Sequence, residues 1–430
     1  MEEVGTAKRG SARNGALFVL LAVLVGAVSG AVVWGFLVLA SLASDAVWGA
    51  AMPAWYRFAV CAGGGVLVGL LQKKFGRYPE EIGQVIGTVR RSGSYPAAGV
   101  PAGMIALMAL IPIVCGASIG PEAGLTGVIA GLCCLAGEKL RYFGRNVRDM
   151  AQIGMSAALG VVFGAPLFGF ALPLESAADG EKKTVLPGTA RLAVYLLAVF
   201  GALGAFLLLS KVHGSGLSMP SFGTASAGTR EYLFAVPAAA VALAGAYVFF
   251  LSGKALKGAF SRLEDKPALS AALGGLGLAA VSLFVPYAMF SGEAESTELM
   301  NAYPAFSGGA LIAVGMVKIV MTNLCIRSGL RGGHFFPVIF GGIAIGYGTA
   351  ALFGIDPVFA VVISVSVLMG AVLRKPVAAA LLLLLCFPLS ALPLILAAAF
   401  GGALIPLPKF LRPPEEKPGG VMARFRRKKG

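Results

Sequence analysis

Charge is what this sequence has least of. Of its 430 residues only 13% are Asp, Glu, Lys or Arg, against roughly 25% in a soluble domain. A water-surrounded globular fold is thereby excluded. Histidine is nearly absent: His213 and His334 are the only two, too few for a histidine metal centre. The six cysteines (Cys61, Cys115, Cys133, Cys134, Cys325, Cys386) lie in apolar stretches with neither metal-ligand spacing nor an extracellular disulfide pattern, and read as packing residues. No nucleophile–base pair stands out, so neither an enzyme nor a bound cofactor is expected.

What fills the chain instead is apolar. Hydrophobic residues make up 57% and the mean hydropathy is +0.84. Uncharged runs cover 14–44, 92–121, 150–174, 192–210, 232–253, 267–292, 299–317, 332–355, 357–373 and 376–408. A straight helical span needs about 20 apolar residues, so several runs are too long for one helix. Others, 58–72 and 123–137, are too short to cross alone. With 60 Gly and 24 Pro, this predicts tilted and broken helices. Lipid tolerates these only where protein or water satisfies the freed backbone. The class expected is an all-α polytopic membrane protein in a lipid bilayer.

The net charge of +15 does not point to nucleic acid, because of where it lies. Lys8, Arg9 and Arg13 precede the first run and "RFRRKKG" closes the chain. The linkers "KLRYFGRNVRD" and "GEKKT" are basic too. Short basic segments favour the cytoplasmic side, which places both termini inside, in a plasma or inner membrane. The first apolar run is about twice a signal-peptide core in length and reads as a span, not a leader. Trp34, Trp48 and Trp55 read as interface anchors or packing residues, and Lys318 and Arg374 as cations that pair or snorkel.

A weak internal repeat organises the rest. "GASIGPEAG" from Gly116 and "RGGHFFPVIFGG" from Arg331 are each a glycine-rich loop reaching a proline and a short apolar helix. From Pro121 to the helix-opening Pro166 is 45 residues, and from Pro337 to Pro376 is 39. Gly/Pro interruptions at matching places in two halves point to a duplicated transporter with its site near the midplane. The expected division is a polar, disordered cytoplasmic tail over 1–15, a first repeat over 16–210, a polar linker over 211–227, a second repeat over 228–408 and a basic cytoplasmic tail over 409–430. A half-helix N-terminus inside the membrane presents unpaired N–H groups and a positive dipole end, which suits an anion.

These motifs resemble those of the CLC family of chloride channels and chloride/proton exchangers. "FGRYPEE" (75–81) resembles the family's Gly-Ser-Gly-Ile-Pro-Glu signature, and "ASIGP" (117–121) its Gly-Lys/Arg-Glu-Gly-Pro signature. "FGAPLFGFALPLES" (163–176) resembles the helix bearing internal acids, and "SGLRGGHFFP" (328–337) the Gly-x-Phe-x-Pro signature. The resemblance spans about 15 to 410. It implies a homodimer with a pore in each subunit, an inverted repeat, and half-helix N-termini meeting on a dehydrated anion, chloride first. It also implies that the backbone N–H groups of His334 and Phe335 face a central anion. Those of Ser118, Ile119 and Gly120, with Phe336, would face an outer one.

The departures carry as much as the matches. Ile119 stands where the family has its gating glutamate, after Ser118 in place of a basic residue. Gly76 replaces a pore serine, followed by Arg77, a source of positive potential at the inner mouth or a partner for Glu80 or Glu81. The acid that exchangers use for inner proton transfer falls on Ser176, with Glu175 as its acidic neighbour. Phe410 is the nearest aromatic to the family's pore tyrosine, and "LRPPEEKPGG" cannot form the family's last helix. Ile119 and Ser176 carry no proton, which favours a passive, proton-uncoupled channel or uniporter. The alternative is a coupled anion/proton exchanger with Glu122, three residues past Ile119, as a relocated carboxylate gate. Glu122 also reads as an acid favourably placed at a helix start. A third reading is a non-transporting sensor or scaffold. His334 reads as a pH-sensitive group or as a packed, hydrogen-bonded one.

Overall fold

The computed structural model describes residues 2–49, 53–92, 94–96, 100–139, 147–169, 171, 189–213, 219–406, 408 and 411. Its long helices are α1 (Glu2–Trp48), α2 (Ala54–Phe75), α3 (Ile82–Ser92), α4 (Ala102–Val114), α5 (Glu122–Lys139), α6 (Val147–Val162) and α7 (Thr189–Ser210). Beyond these come α8 (Thr229–Ser261), α9 (Pro267–Ser282), α10 (Glu293–Ala302), α11 (Gly308–Ser328), α12 (Phe335–Phe353), α13 (Pro357–Leu373), α14 (Pro376–Leu383) and α15 (Leu392–Leu404). Among the described residues the only β pairing is a single antiparallel bridge, Gly120 to Gly333. The segments 17–48, 54–75, 192–210, 229–261, 308–328 and 335–353 are long and apolar enough to cross a membrane, whereas α4, α5, α6, α9, α13 and α15 are shorter. That is the mixture of full and broken helices expected from uneven apolar runs.

Two boundaries differ from expectation. Residues 2–15 are helical and continue without a break into α1. The segment holds no proline, and its acids precede its bases, the order a helix dipole favours. The run over 58–72 belongs to α2, whose 22 residues suffice to span. The basic pair Lys73 and Lys74 ends the apolar run without ending the helix. The helix closes at Gly76, whose φ of +99° lies in the left-handed region that suits glycine.

Small residues set the helix spacing. A methyl group at Gly26 or Gly30 of α1 would strike the backbone of Ala198 or Ala202 in α7, and one at Gly65 of α2 the backbone of Ala271 in α9. In lipid, where apolar burial alone does not drive association, such close contact supplies the packing. Helices α12 and α13 are buried along almost their whole length, sheathed by α8, α11 and α15. Outer helices turn large apolar side chains outward, such as Leu20, Leu233 and Val236, as lipid-facing surfaces do.

The connection before α8 is not wholly a solvated linker. Phe222 is buried, donates its N–H to the Cys386 carbonyl at 2.8 Å and stacks on Phe387. Helix α8 then opens at Thr229, where the Glu231 carboxylate accepts the Gly228 N–H at 2.9 Å.

Candidate anion site at two helix N-termini

The two glycine-rich loops meet. Gly120 donates its N–H to the Gly333 carbonyl and Gly333 donates back to Gly120, both at 2.9 Å. This reciprocal pair ties the start of α5 to the start of α12. Between them lies the side chain of Glu122, fully buried. Its Oε1 accepts the backbone N–H of Phe335 at 2.9 Å, and Glu122 is itself the first residue of α5. The carboxylate therefore sits on the positive ends of both helices, whose first-turn amides have no acceptor within the helix. Its Oε2 has no hydrogen-bond partner.

Glycine makes this approach possible. A methyl group on Gly120 would collide with the carboxylate oxygens, and one on Gly333 with the carboxyl carbon. The neighbouring Gly332 makes room for the Ile119 side chain in the same way. Thr126, one turn into α5, returns its hydroxyl to the carbonyl of Glu122 at 2.9 Å and steadies the helix start.

Glu122 also borders a cavity of about 180 Å³ lined by Glu81, His334, Phe335, Gly333, Leu373 and Lys375 among others. This cavity leads from the joined N-termini towards the loop after α2 and the turn between α13 and α14. His334 precedes α12 as its N-cap and rests its ring against Phe249 and Phe335, at 5.5 and 4.9 Å between centroids. Phe335 and Phe336 stack on Phe163, from the loop that leads to Pro166.

The expected site residues divide sharply. Glu122, His334, Phe335 and Phe336 come together at the start of α12. Ile119 does not line the cavity: it is fully buried in an apolar cluster with Met289, Met321, Cys325 and Leu330, and its N–H is bound to the Ala117 carbonyl at 2.9 Å. The Gly120 N–H is likewise taken by Gly333. Ser118 is buried with its hydroxyl against that of Thr322 at 3.2 Å. Of the outer set of amides expected at Ser118, Ile119 and Gly120, those of Ile119 and Gly120 are thus taken by protein carbonyls, of Ala117 in the same loop and of Gly333 in the facing one. Gly76 closes α2 and donates to Gln72; it lies outside the cavity that Glu122 enters. Arg77 pairs with neither Glu80 nor Glu81; its Nη2 donates to the Glu264 carbonyl at 2.8 Å and lies 4.0 Å from the Glu264 carboxylate. Glu175, Ser176, Phe410 and the segment after 411 fall outside the described residues.

Lys318 does not snorkel and forms no ion pair among the described residues, although Glu295 lies near enough to act on its charge. It is fully buried in α11, with Nζ donating to the carbonyls of Met289 and Phe290 at 2.6 and 2.8 Å and lying over the Phe340 ring. Arg374 ends α13 and donates to the carbonyls of Ala403 and Ile405, both at 2.6 Å. Sequence reasoning missed Gly332, Gly333, Glu81 and Lys375 as neighbours of the site. Each lies in or beside a motif that was already marked, so loop membership was the available signal.

An all-α membrane protein whose broken helices aim two N-termini at one buried acceptor is built to hold negative charge away from water. The chain belongs to the voltage-gated chloride channel family, whose model matches residues 64–406. A putative ClcB-like chloride channel protein of Ralstonia nicotianae is 28% identical over 370 residues, 82% of each chain. The voltage-gated ClC-type chloride channel ClcB of Salmonella typhimurium is 29% identical over 312 residues, 70% of each. Among solved structures, a CLC-type fluoride/proton antiporter superposes with a TM-score of 0.73 at 19% identity, covering 91% of this chain and 95% of its own. A slow cyanobacterial Cl−/H+ antiporter gives 0.70 at 20%, covering 90% and 94%.

Proposed function

We propose that this protein carries small inorganic anions, chloride first, across a lipid bilayer, and that the Glu122 carboxylate is its gate. The observation behind this reading is the 2.9 Å hydrogen bond from the Phe335 N–H to Glu122 Oε1. The carboxylate occupies the place that a permeating anion would take on the α12 N-terminus. An anion reaches those amides only when the side chain leaves, and protonation, which removes its charge, weakens its hold on the helix dipoles. We further propose a homodimer with one pathway per subunit and both termini on the cytoplasmic side. The Ile119 substitution and the passive route it implies make uncoupled flow the first reading.

A second reading is coupled exchange, favoured by the cavity that Glu122 shares with Glu81 and by the antiporters among the structural neighbours. In that reading Glu81 passes protons to the gate from its exposed end.

Purified protein in chloride-loaded liposomes tests both. Expected is chloride efflux that rises as pH falls, and in Glu122→Gln a several-fold faster efflux that no longer depends on pH. Unchanged flux and pH response in that variant would remove Glu122 from the gate. Uphill proton movement driven by a chloride gradient would replace the uncoupled reading with exchange, and absence of any anion flux would leave a sensor or scaffold.

A further inference from the structure

A second cavity, of about 150 Å³, lies apart from Glu122. It opens where α2, α8 and α11 end and α9 begins. Arg77, Lys257, Arg327 and Arg331 line it, against one acid, Glu264. Arg77 reaches Glu264 only at 4.0 Å, and Arg331 is held in place by donating to the Arg77 carbonyl at 3.0 Å. Arg327 and Lys257 make no hydrogen bond or ion pair among the described residues. The remaining acids that act on the group are Glu80 and Glu81, both on the Arg331 side. The floor is polar and already satisfied: Gln72 donates to the Gly329 carbonyl at 2.7 Å and the Ser270 hydroxyl to the Ser328 carbonyl.

Positive charge is common on a cytoplasmic face, but there it normally spreads over convex surface where water and salt screen it. Here like charges converge on a concavity, and their mutual repulsion is only partly compensated by Glu264 beside Arg77 and by Glu80 and Glu81 beside Arg331. A guanidinium offers paired N–H donors that match the oxygens of a phosphate, and several cations around one hollow favour a polyvalent anion over a halide. We propose that this cavity binds a phosphate or phosphate monoester or diester group. The group comes either from an anionic lipid headgroup or from a soluble phosphate compound. One residue, Gly332, separates Arg331 from Gly333, the glycine that cradles Glu122, so an occupied pocket stiffens the loop on which the gate rests.

The test uses the full-length protein in detergent, with melting temperature as the readout. Inorganic phosphate, or pyrophosphate, is titrated against potassium chloride of matched ionic strength. In parallel, phosphatidylglycerol is compared with phosphatidylcholine. Expected is a saturable rise in melting temperature with at least one phosphate probe, lost in the Arg327→Gln/Lys257→Gln variant. Both side chains are exposed, so this variant folds. Glu264→Gln, which removes the competing carboxylate, should bind the same probe several-fold more tightly. A rise with soluble phosphate assigns a soluble ligand; a rise with phosphatidylglycerol alone assigns a lipid headgroup. No saturable rise with any probe, or an equal rise in the double variant, overturns the proposal.

Discussion

Among the described residues two charges are buried completely, Glu122 and Lys318, and they are solvated in opposite ways. Glu122 is met by backbone N–H groups at helix starts, Lys318 by backbone carbonyls at the turn before α10. Each arrangement replaces water by peptide dipoles, as burial of an ion requires. The difference is in what surrounds them. Glu122 leaves one oxygen without a partner and borders a cavity, so it has somewhere to go. Lys318 is closed in by Phe340 and Gly292 and borders neither of the two cavities described above. The gate proposed at Glu122 and a fixed strut at Lys318 would thus use the same chemistry, and free volume separates them.

The largest effect should come from Gly333→Ala, because a methyl group there meets the Glu122 carboxyl group. Folded yield in detergent, followed by size-exclusion chromatography, should fall sharply. Adding Glu122→Ala should restore it, since the obstacle is then gone. If the double variant folds no better, the collision is not with the carboxylate.

Next in size, Glu122→Gln should speed anion efflux several-fold and flatten its pH response, whereas Lys318→Met should leave efflux per folded protein unchanged. The lysine substitution should cost about 1–3 kcal/mol through the two stranded carbonyls, read as a lower melting temperature. An efflux change in Lys318→Met equal to that in Glu122→Gln would dissolve the contrast between gate and strut.

Removal of the Ser118 hydroxyl offers a smaller test. Ser118→Ala breaks one buried pair with Thr322 and should cost roughly 1 kcal/mol with little change in efflux, because the Ser118 side chain does not line the cavity that Glu122 borders.

The smallest effect belongs to Glu80, in the loop after α2. Burial pushes its carboxyl above the usual carboxylate range, against the lowering influence of Arg331. The folded protein then holds this proton more tightly than the unfolded chain, so stability declines as pH rises from the ordinary carboxylate range through the raised value. Glu80→Gln should flatten that slope in melting curves; an unchanged slope would show that another group carries it.

The membrane class and the two loop–helix breaks were legible because hydropathy and glycine–proline chemistry act over a few residues. The closeness of "ASIGP" to "GGHFFP" was legible only as a repeat. Position along the chain made Ile119 look like the informative substitution, yet its side chain faces an apolar cluster and its amide a carbonyl. Glu122 looked equally suited to capping its own helix. Nothing local told that the carboxylate reaches across 213 residues of chain to the Phe335 amide. The helical continuation of 2–15 was missed because its polar composition resembles a solvated tail.

The sequence by itself determined that this chain spans a membrane, breaks its helices at matched places and presents amide-rich helix starts. Those properties follow from transfer free energy and from backbone preferences of glycine and proline. Only the tertiary structure decided which acceptor those amides meet. The reciprocal Gly120–Gly333 hydrogen bonds bring two distant loops close enough to leave room for one carboxylate, and a contact between halves has no signature in either half alone.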